Sequence, residues 1–357
     1  MLNIEKPTLI INKDIVLSNI KTSKELSKKL SISFRPHFKT HQSLEVGTWF
    51  KKLGIKKITV SSVEMAKYFS NQWDDITIAF PFNILEIKKI NILLKKITIN
   101  LLVDSIETIE FLDNNLNDKI LVYVKIDLGY KRAGISFNDL KKIKLTIKKI
   151  KNSKMLSFGG FLSHFGNTYN SKNKTDISKT YINSINNIET LKFNLDQRIN
   201  FSIGDTPSLS ILKRVPDYVN EIRPGNFIFY DLYQNKIGSC SLSKIAVRMI
   251  CPIVSIYPKD KKILIYGGSV HFSKDFIIEK GNKCYGYVYY GNNFWNTSKK
   301  IGYIQSLSQE HGIIKIEKQD NYKVGDLLSI IPIHSCLTAD KMGEYFCDNK
   351  KISMMKT

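Results

Sequence analysis

The hydrophobic pattern of the chain changes near residue 235. Up to about residue 226, short runs rich in β-branched residues alternate with lysine-rich stretches whose apolar positions recur every three or four residues. The runs predict strands, and the stretches between them predict amphipathic helices. The eight predicted strands cover residues 31–39, 57–62, 75–80, 97–104, 119–127, 155–164, 198–205 and 218–224.

Eight successive βα units predict a (β/α)8 TIM barrel. Beyond residue 235, apolar and polar residues alternate between turns rich in Gly and Asn, which predicts an antiparallel β domain. We therefore expect a barrel over residues 12–234 and a β domain over residues 235–357, to which the N-terminal strand within residues 1–11 is added.

Composition narrows the class of protein. The net charge of +22 comes from lysine, with only six arginines, so it indicates solvated surfaces, because base readout favours arginine. No apolar run approaches the roughly 20 residues of a spanning helix, and the N-terminus lacks a secretory signal. Five cysteines form no disulfide framework. We expect a reduced, cytoplasmic protein without nucleic-acid or membrane partners.

Unusual polar residues lie at or just after the C-terminal ends of the predicted strands. In TIM barrels the active site is built at that rim. A site is therefore predicted there, and its residues are Lys39, Asp127 with Arg132, His164, the segment 204–206 and the segment 223–225.

Lys39 is the predicted attachment point for a cofactor. Arg35, His37 and Lys39 alternate along the first predicted strand, so they are expected to share its inward face. Lys39 also lies between two histidines, His37 and His41. A lysine in this position suits imine formation with an aldehyde cofactor.

Two turns near the end of the barrel predict a phosphate site. In the segment 202–208, Gly204 lets the backbone approach a ligand, Thr206 offers a hydroxyl, and a helix start offers free N–H groups. The segment 223–226 follows the next strand and offers further amides. Barrels commonly bind phosphate after strands seven and eight, which these are.

His334 and Cys336 form a second constellation. Residues at i and i+2 lie on one face of a strand, and imidazole with thiolate is a ligand pair that suits zinc. The sequence therefore predicts a metal site in the β domain.

Seven segments between residues 35 and 336 carry a joint pattern: RPHFKTH, KIDLGYKRAG, GFLSHFGNTY, SIGDTPS, EIRPGNFIFYD, LSQEHG and IPIHSC. Together they resemble the fold-type-III pyridoxal-phosphate enzymes, the alanine-racemase-like group. At finer grain they resemble the branch that contains D-threonine aldolase and D-serine dehydratase. The resemblance extends over nearly the whole chain.

The resemblance implies that pyridoxal 5'-phosphate (PLP) is bound covalently by Lys39. It also implies that Arg132 or Tyr169 faces the pyridine nitrogen and that His164 lies beside the ring. Asp205 places a negative charge near the phosphate site. The residues implied to bind the cofactor are Lys39, Arg132, His164, Tyr169, Gly204, Asp205, Thr206, Arg223, Gly225 and Asn226.

The resemblance further implies a divalent metal on His334 and Cys336, with Zn2+ favoured over Mn2+, and a homodimer. His311 is predicted either to contact residues that themselves bind the ligand or to contact the substrate directly. For aldol cleavage His164 or His311 would take the β-hydroxyl proton. The residues predicted to be catalytic are Lys39, His164, Tyr169 and His311.

The predicted function is a metal-assisted PLP-dependent lyase acting on a D-3-hydroxy amino acid. D-serine dehydratase-like β-elimination to keto acid and ammonia is preferred over D-threonine aldolase-like cleavage, because the aldolases tend towards an oxygen ligand where Cys336 stands. The alternative is a PLP-dependent racemase or epimerase, which would leave the metal pair unexplained. A third alternative is a non-catalytic PLP carrier, whose relatives are single-domain barrels without the β domain.

Overall fold

The computed structural model describes residues 3–195, 199–291, 293–318 and 321–355. The chain divides into two compact units, each of which contains its own sheet. The unit that we call the barrel unit comprises residues 22–39 and 47–225. The unit that we call the β unit comprises residues 1–21, 40–46 and 226–357. The predicted domain boundary at residue 234 stays a prediction.

The strands are, in chain order, β1 Thr8–Ile11, β2 Ser33–Phe34, β3 Ile58–Val60, β4 Asp75–Pro81, β5 Thr98–Val103, β6 Ile120–Asp127, β7 Ile135–Ser136, β8 Leu156–His164, β9 Phe201–Gly204, β10 Val219–Ile222, β11 Val247–Tyr257, β12 Lys262–Tyr266, β13 Ile277–Glu279, β14 Asn282–Cys284, β15 Gly286–Tyr290, β16 Lys300–Leu307, β17 His311–Ile316, β18 Leu327–Pro332, β19 Glu344–Cys347 and β20 Lys350–Ser353.

The α-helices are α1 Lys13–Lys29, α2 Leu44–Lys52, α3 Val63–Phe69, α4 Ile87–Leu94, α5 Ile106–Asn115, α6 Leu140–Asn152, α7 Lys174–Phe193, α8 Leu232–Lys236 and α9 Ser335–Met342. None of these described helices is both long and apolar enough to cross a bilayer.

The barrel unit contains a parallel sheet in the order β2-β10-β9-β8-β6-β5-β4-β3. A bridge between His37 and Thr59 closes it, because Phe38 N donates to Thr59 O and Thr59 N donates to Pro36 O, both at 2.9 Å. The predicted (β/α)8 barrel is confirmed. Each of the eight predicted strands overlaps one of these strands, although the seventh was predicted to begin at Arg198, which lies outside the described residues.

Helix α6 shows how the sequence positions these elements. Asp139 caps its N-terminus, since the carboxylate accepts a hydrogen bond from Lys142 N at 3.0 Å. Ile143, Ile147 and Ile150 are buried at helical spacing, and the lysines between them face solvent. The apolar positions of the predicted amphipathic pattern thus form the face of α6 that packs against the barrel strands.

The first barrel strand is shorter than predicted, and the expected shared inward face of Arg35, His37 and Lys39 stays a prediction. Strand β2 ends at Phe34, because Pro36 has no N–H with which to continue the ladder. Arg35 is buried, and its guanidinium forms ion pairs with Asp75 at 2.6 Å and Glu221 at 2.8 Å. Lys39 itself lies on the turn that follows His37.

The β unit contains a second sheet, in which β11, β12, β17, β16, β15 and β18 pair antiparallel and return to β11. Strand β1 extends it antiparallel to β11, and β19 and β20 follow on the other side of β1. The predicted antiparallel β domain, with the N-terminal strand added to it, is confirmed. Helix α9 and the β19–β20 hairpin were not predicted.

Candidate functional site

A cavity of about 420 Å³ lies at the C-terminal end of the barrel strands. The strands β6, β8, β9 and β10 end at Asp127, His164, Gly204 and Ile222, so the loops that follow them carry the polar residues to one rim. Six predicted cofactor-binding residues line the cavity together with Lys39, and they are Arg132, His164, Tyr169, Asp205, Arg223 and Gly225.

The cavity is rich in positive charge. Lys39, Lys125, Arg132 and Arg223 all line it, and Asp205 supplies a carboxylate. Such a concentration of cations in a concave site attracts anions. The charge of the lining therefore fits a ligand that carries phosphate and carboxylate groups.

The turn after β9 fits a phosphate group. The Thr206 hydroxyl oxygen is buried and has no hydrogen-bond partner among the described residues, whereas most buried hydroxyls in proteins have one. Thr206 N lies 3.2 Å from Tyr169 Oη and donates to it. Thr206 directly follows Asp205, which lines the cavity. The hydroxyl of Thr206 is thus available to the oxygen of a bound ligand.

Gly225 lets the backbone after β10 approach Lys39. A Cβ atom at this position would lie 3.3 Å from His37 Cβ and 3.7 Å from Lys39 Cε. A larger residue would be tight against His37, whereas its distance to the lysine would be an ordinary packing contact. The next residue, Asn226, was predicted to offer its backbone to phosphate, and its side chain takes part in the second constellation described below.

His164 is a neutral imidazole in this site. Burial, together with the positive charges of Arg132 and Lys39, holds its pKa well below the usual value. Its Nδ1 contacts the carbonyl oxygen of Gly204, which only accepts hydrogen bonds. Nδ1 therefore carries the proton and Nε2 does not.

Arg132 and Tyr169, the two candidates for the pyridine nitrogen, have different neighbours. The Arg132 guanidinium lies over the Tyr130 ring, 5.1 Å from its centroid. Its loop is shaped by Asp127, whose carboxylate accepts hydrogen bonds from Gly129 N and Lys131 N at 3.0 Å. Tyr169 instead contacts the turn after β9, because its hydroxyl oxygen accepts a hydrogen bond from Thr206 N. The assignment of either residue to the pyridine nitrogen stays a prediction.

Lys125 is a cavity residue that the sequence analysis missed. It lies on β6, and burial, with Arg223 and Arg132 nearby, lowers its pKa to about 7. Gly134 leaves room for the Lys125 side chain, since a Cβ at residue 134 would lie 2.7 Å from Lys125 Cγ. The period-two spacing of Lys125 and Asp127 was its only signal, and a single strand lysine among many does not stand out.

Asp205 is fully enclosed, and this has a consequence for stability. Its carboxylate accepts hydrogen bonds from Thr168 Oγ1 at 2.9 Å and Ser208 N at 2.8 Å. Burial outweighs these bonds and raises its pKa to about 6. Above that pH, the negative charge of Asp205 therefore lowers the stability of the folded protein.

We expect Asp205→Asn to remove a pH dependence of stability. Because the folded pKa is raised above the unfolded value of 3.8, the carboxyl group favours folding below about pH 4. That contribution is lost as the pH rises through about 6, and it amounts to about 3 kcal/mol. Urea unfolding of the cofactor-free protein at pH 4 and 7.5 measures the change. The exposed Asp118→Asn variant should follow the wild type, and parallel behaviour of Asp205→Asn would contradict the prediction.

The second constellation surrounds His334 and Cys336 in the β unit. The predicted strand geometry is wrong, because β18 ends at Pro332, His334 is the N-cap of α9 and Cys336 lies in its first turn. Both residues nevertheless lie at the start of α9, and Cys336 is close enough to raise the pKa of His334. The turn between strand and helix, which the alternating pattern does not reveal, brings them together.

Neighbouring side chains complete this site. His334 Nδ1 lies 2.7 Å from Asp275 Oδ2, and Cys336 Sγ lies 3.1 Å from Thr40 Oγ1 and 3.4 Å from Asn226 Nδ2. Burial lowers the pKa of His334, but the hydrogen bonds to Asp275 and Cys336 outweigh it and raise the pKa to about 10. A nitrogen and a sulfur ligand from one turn fit zinc with open positions for water or substrate. The described residues contain no group of three or more His, Cys, Asp or Glu side chains that would hold a metal.

Two other histidines take different places. His41 is fully buried, its Nδ1 accepts a hydrogen bond from Ser43 N at 3.1 Å, and burial lowers its pKa to about 3. His311 is exposed at the start of β17, opposite Tyr266 of β12. The described residues that line the barrel cavity do not include His311, and its catalytic role stays a prediction.

Comparison with known proteins identifies the family. Residues 11–232 match the family described as "Alanine racemase, N-terminal domain", and residues 246–347 match the "Putative serine dehydratase domain". The D-serine dehydratase of Dictyostelium discoideum is 32% identical to this chain, over 99% of the chain and 96% of the relative.

Solved structures show the same fold. An Ala racemase-like protein from Idiomarina loihiensis matches with a TM-score of 0.86 and 23% identity, over 99% of this chain and 98% of that one. D-threo-3-hydroxyaspartate dehydratase from Delftia sp. HT23 matches with a TM-score of 0.83 and 20% identity, over the same shares of each chain. A cysteine-to-alanine variant of the latter enzyme is described in a metal-free form.

These matches confirm the predicted resemblance and the predicted fold class. The family model covers more than half of the chain, and the D. discoideum relative extends over nearly all of it. The chain therefore belongs to the alanine racemase N-terminal domain family, in the branch that contains the D-serine dehydratases.

Proposed function

We propose that this protein is a PLP-dependent, metal-assisted D-serine dehydratase, which converts a D-3-hydroxy amino acid into a keto acid and ammonia. The predicted class, a lyase of D-hydroxy amino acids, is confirmed by the relatives. The observation that carries the choice of elimination is the placement of His334 and Cys336 together at the start of α9 in the β unit. A racemase would have no use for this pair.

The cofactor would be held by residues of the barrel unit. Lys39 would bind it covalently, and Thr206 Oγ1, which is buried without a partner among the described residues, would donate to its phosphate. Gly225 leaves room for the lysine side chain and for the cofactor beside it. When bound, PLP supplies an electron sink for the bonds at Cα of an amino acid.

The proposed base is Lys39, and His164 lies in the same cavity as a fixed neutral ring. When PLP is bound, Lys39 Nζ would take the proton from Cα of the substrate. His164 is neutral, and its Nδ1–H donates to the Gly204 carbonyl, so the ring is fixed beside the place of reaction. Lys125, Arg132 and Arg223 add positive charge that favours binding of the substrate carboxylate.

His334 and Cys336 would hold the divalent metal, which supplies Lewis-acid stabilisation of an oxygen that departs as hydroxide. Imidazole and thiolate favour Zn2+, and Mn2+ is the alternative. Lys39 and Thr40 are consecutive in the chain, and Thr40 Oγ1 contacts Cys336 Sγ. The homodimer and the cytoplasmic location stay predictions.

The test is a product assay with purified protein supplied with PLP and Zn2+. We expect keto acid and ammonia in equal amounts from D-serine or D-threo-3-hydroxyaspartate, and loss of both products in a chelator. Glycine from D-threonine would instead indicate aldol cleavage, and L-serine from D-serine would indicate racemisation. Either of these as the main product would overturn the proposal.

A further inference from the structure

His334 has a partner that lies 59 residues earlier in the chain. Asp275, on the segment between β12 and β13, places Oδ2 at 2.7 Å from His334 Nδ1. The His334 side chain is 39% exposed and that of Asp275 is 49% exposed, so solvent alone would not hold the ring in one orientation. The contact therefore selects one orientation of the imidazole from those open to it.

The chemistry of this contact determines which nitrogen is left for a metal. A carboxylate is an acceptor, so the ring nitrogen that faces it carries a proton. While Nδ1 keeps the proton that faces Asp275, Nε2 is the nitrogen that can exchange its proton for a metal. Imidazole ligands in proteins commonly donate their second N–H to a carboxylate, which fixes tautomer and orientation.

The thiolate side of the site is supported in the same manner. Thr40 Oγ1 and Asn226 Nδ2 lie within hydrogen-bond distance of Cys336 Sγ. Asn226 is itself held by Asp231, whose Oδ2 accepts from Asn226 Nδ2 at 2.7 Å and from Ser335 N at 3.0 Å. The side chains of His334 and Cys336, which would supply the metal-binding atoms, are thus both oriented by hydrogen bonds to other residues.

We propose that Asp275 is a positioning residue for the metal: it fixes the Nδ1–H tautomer and the ring orientation of His334, so that Nε2 and Cys336 Sγ bind a divalent cation together. The inference rests on the proposed function, because it assumes that His334 and Cys336 are the ligands. Asp275 acts through His334 and is not itself a ligand.

The experiment measures metal affinity and requires no turnover. Full-length protein loaded with PLP is titrated with Zn2+ against a chromophoric chelator, and the Co2+ form is examined by visible spectroscopy for its thiolate-to-metal band. The variants are Asp275→Ala, Asp275→Asn and His334→Ala. Asp326→Asn is the matched control, since Asp326 Oδ2 accepts a hydrogen bond from Tyr290 Oη at 2.8 Å elsewhere in the β unit.

We expect Asp275→Ala to weaken Zn2+ binding by about 10- to 100-fold. Asp275→Asn should lose less, because its amide oxygen still accepts the Nδ1–H bond, and Asp326→Asn should bind as the wild type does. The Co2+ form of Asp275→Ala should keep its thiolate band at saturating metal, because Cys336 is unchanged.

Three outcomes overturn the inference. The first is wild-type affinity in Asp275→Ala while His334→Ala loses the metal, which would leave the proposed function standing. The second is a loss in Asp275→Asn as large as that in His334→Ala, which would make Asp275 a ligand. The third is wild-type affinity in His334→Ala, which would remove the metal site on which the proposed function also depends.

Discussion

Replacing Lys39 by alanine is expected to lower keto-acid formation from D-serine by at least about 1,000-fold, because one side chain supplies both the covalent bond to the cofactor and the base for Cα. The visible absorbance band of the covalently bound cofactor should disappear at the same time. Lys39→Arg should behave as Lys39→Ala does, since a guanidinium keeps the charge but forms no imine. Steady-state kinetics and absorbance spectra of the three proteins measure both effects.

Lys125 is the control that makes this prediction specific. It lines the same cavity, and with a pKa of about 7 it is partly uncharged at neutral pH, so it is a second amine able to form an imine. Borohydride reduction of the wild type followed by peptide mapping should place the label on Lys39. Lys125→Arg should retain the labelled Lys39. A label on Lys125 in the wild type would contradict the assignment.

The barrel could be predicted because its strands are buried on both faces. In β5 the five residues from Ile99 to Val103 are all buried, and all of them except Asn100 are aliphatic. The helices between the strands bury one face only, and α6 shows the resulting three- and four-residue spacing. Local sequence therefore determines both kinds of element, and the order of the elements determines the fold class.

The course of the chain around Lys39 could not be predicted in the same way. Alternation predicts an inward position for Arg35, but not its ion-pair partners, which are Asp75 and Glu221, 40 and 186 residues further along the chain. A buried guanidinium needs these carboxylates, and their positions follow from the closed barrel. Alternation along one strand contains no information about such partners.

The metal site was predicted from the residue types of His334 and Cys336, and the strand geometry assumed for them was wrong. The pairing of imidazole and thiolate is a chemical signal, and it identified His334 and Cys336 although the strand assigned to them ends before either residue. Asp275 gave no such signal, because aspartate is common in loops between strands. Only the fold brings its carboxylate to His334.

Cys336→Ala is expected to lower keto-acid formation by roughly 100- to 1,000-fold, because a Lewis acid contributes several kcal/mol to stabilisation of a leaving oxygen. The covalently bound cofactor should remain, with its absorbance band intact, since Lys39 is unchanged. Removing the metal from the wild type with a chelator should give the same activity, and adding Zn2+ should restore the wild type but not the variant. Metal content and kcat measured on one preparation test this directly.

Cys240 provides the matched control for this variant. It lies in the same unit, and burial, with the negative charge of Asp231, raises the pKa of its thiol, so it stays protonated and is a poor metal ligand. Cys240→Ala should therefore keep its metal and its turnover. If Cys336→Ala instead kept full activity without metal, departure of the hydroxyl group would need no Lewis acid. The acid would then have to be a side chain that holds a proton, which neutral His164 cannot supply because its one ring proton is donated to Gly204.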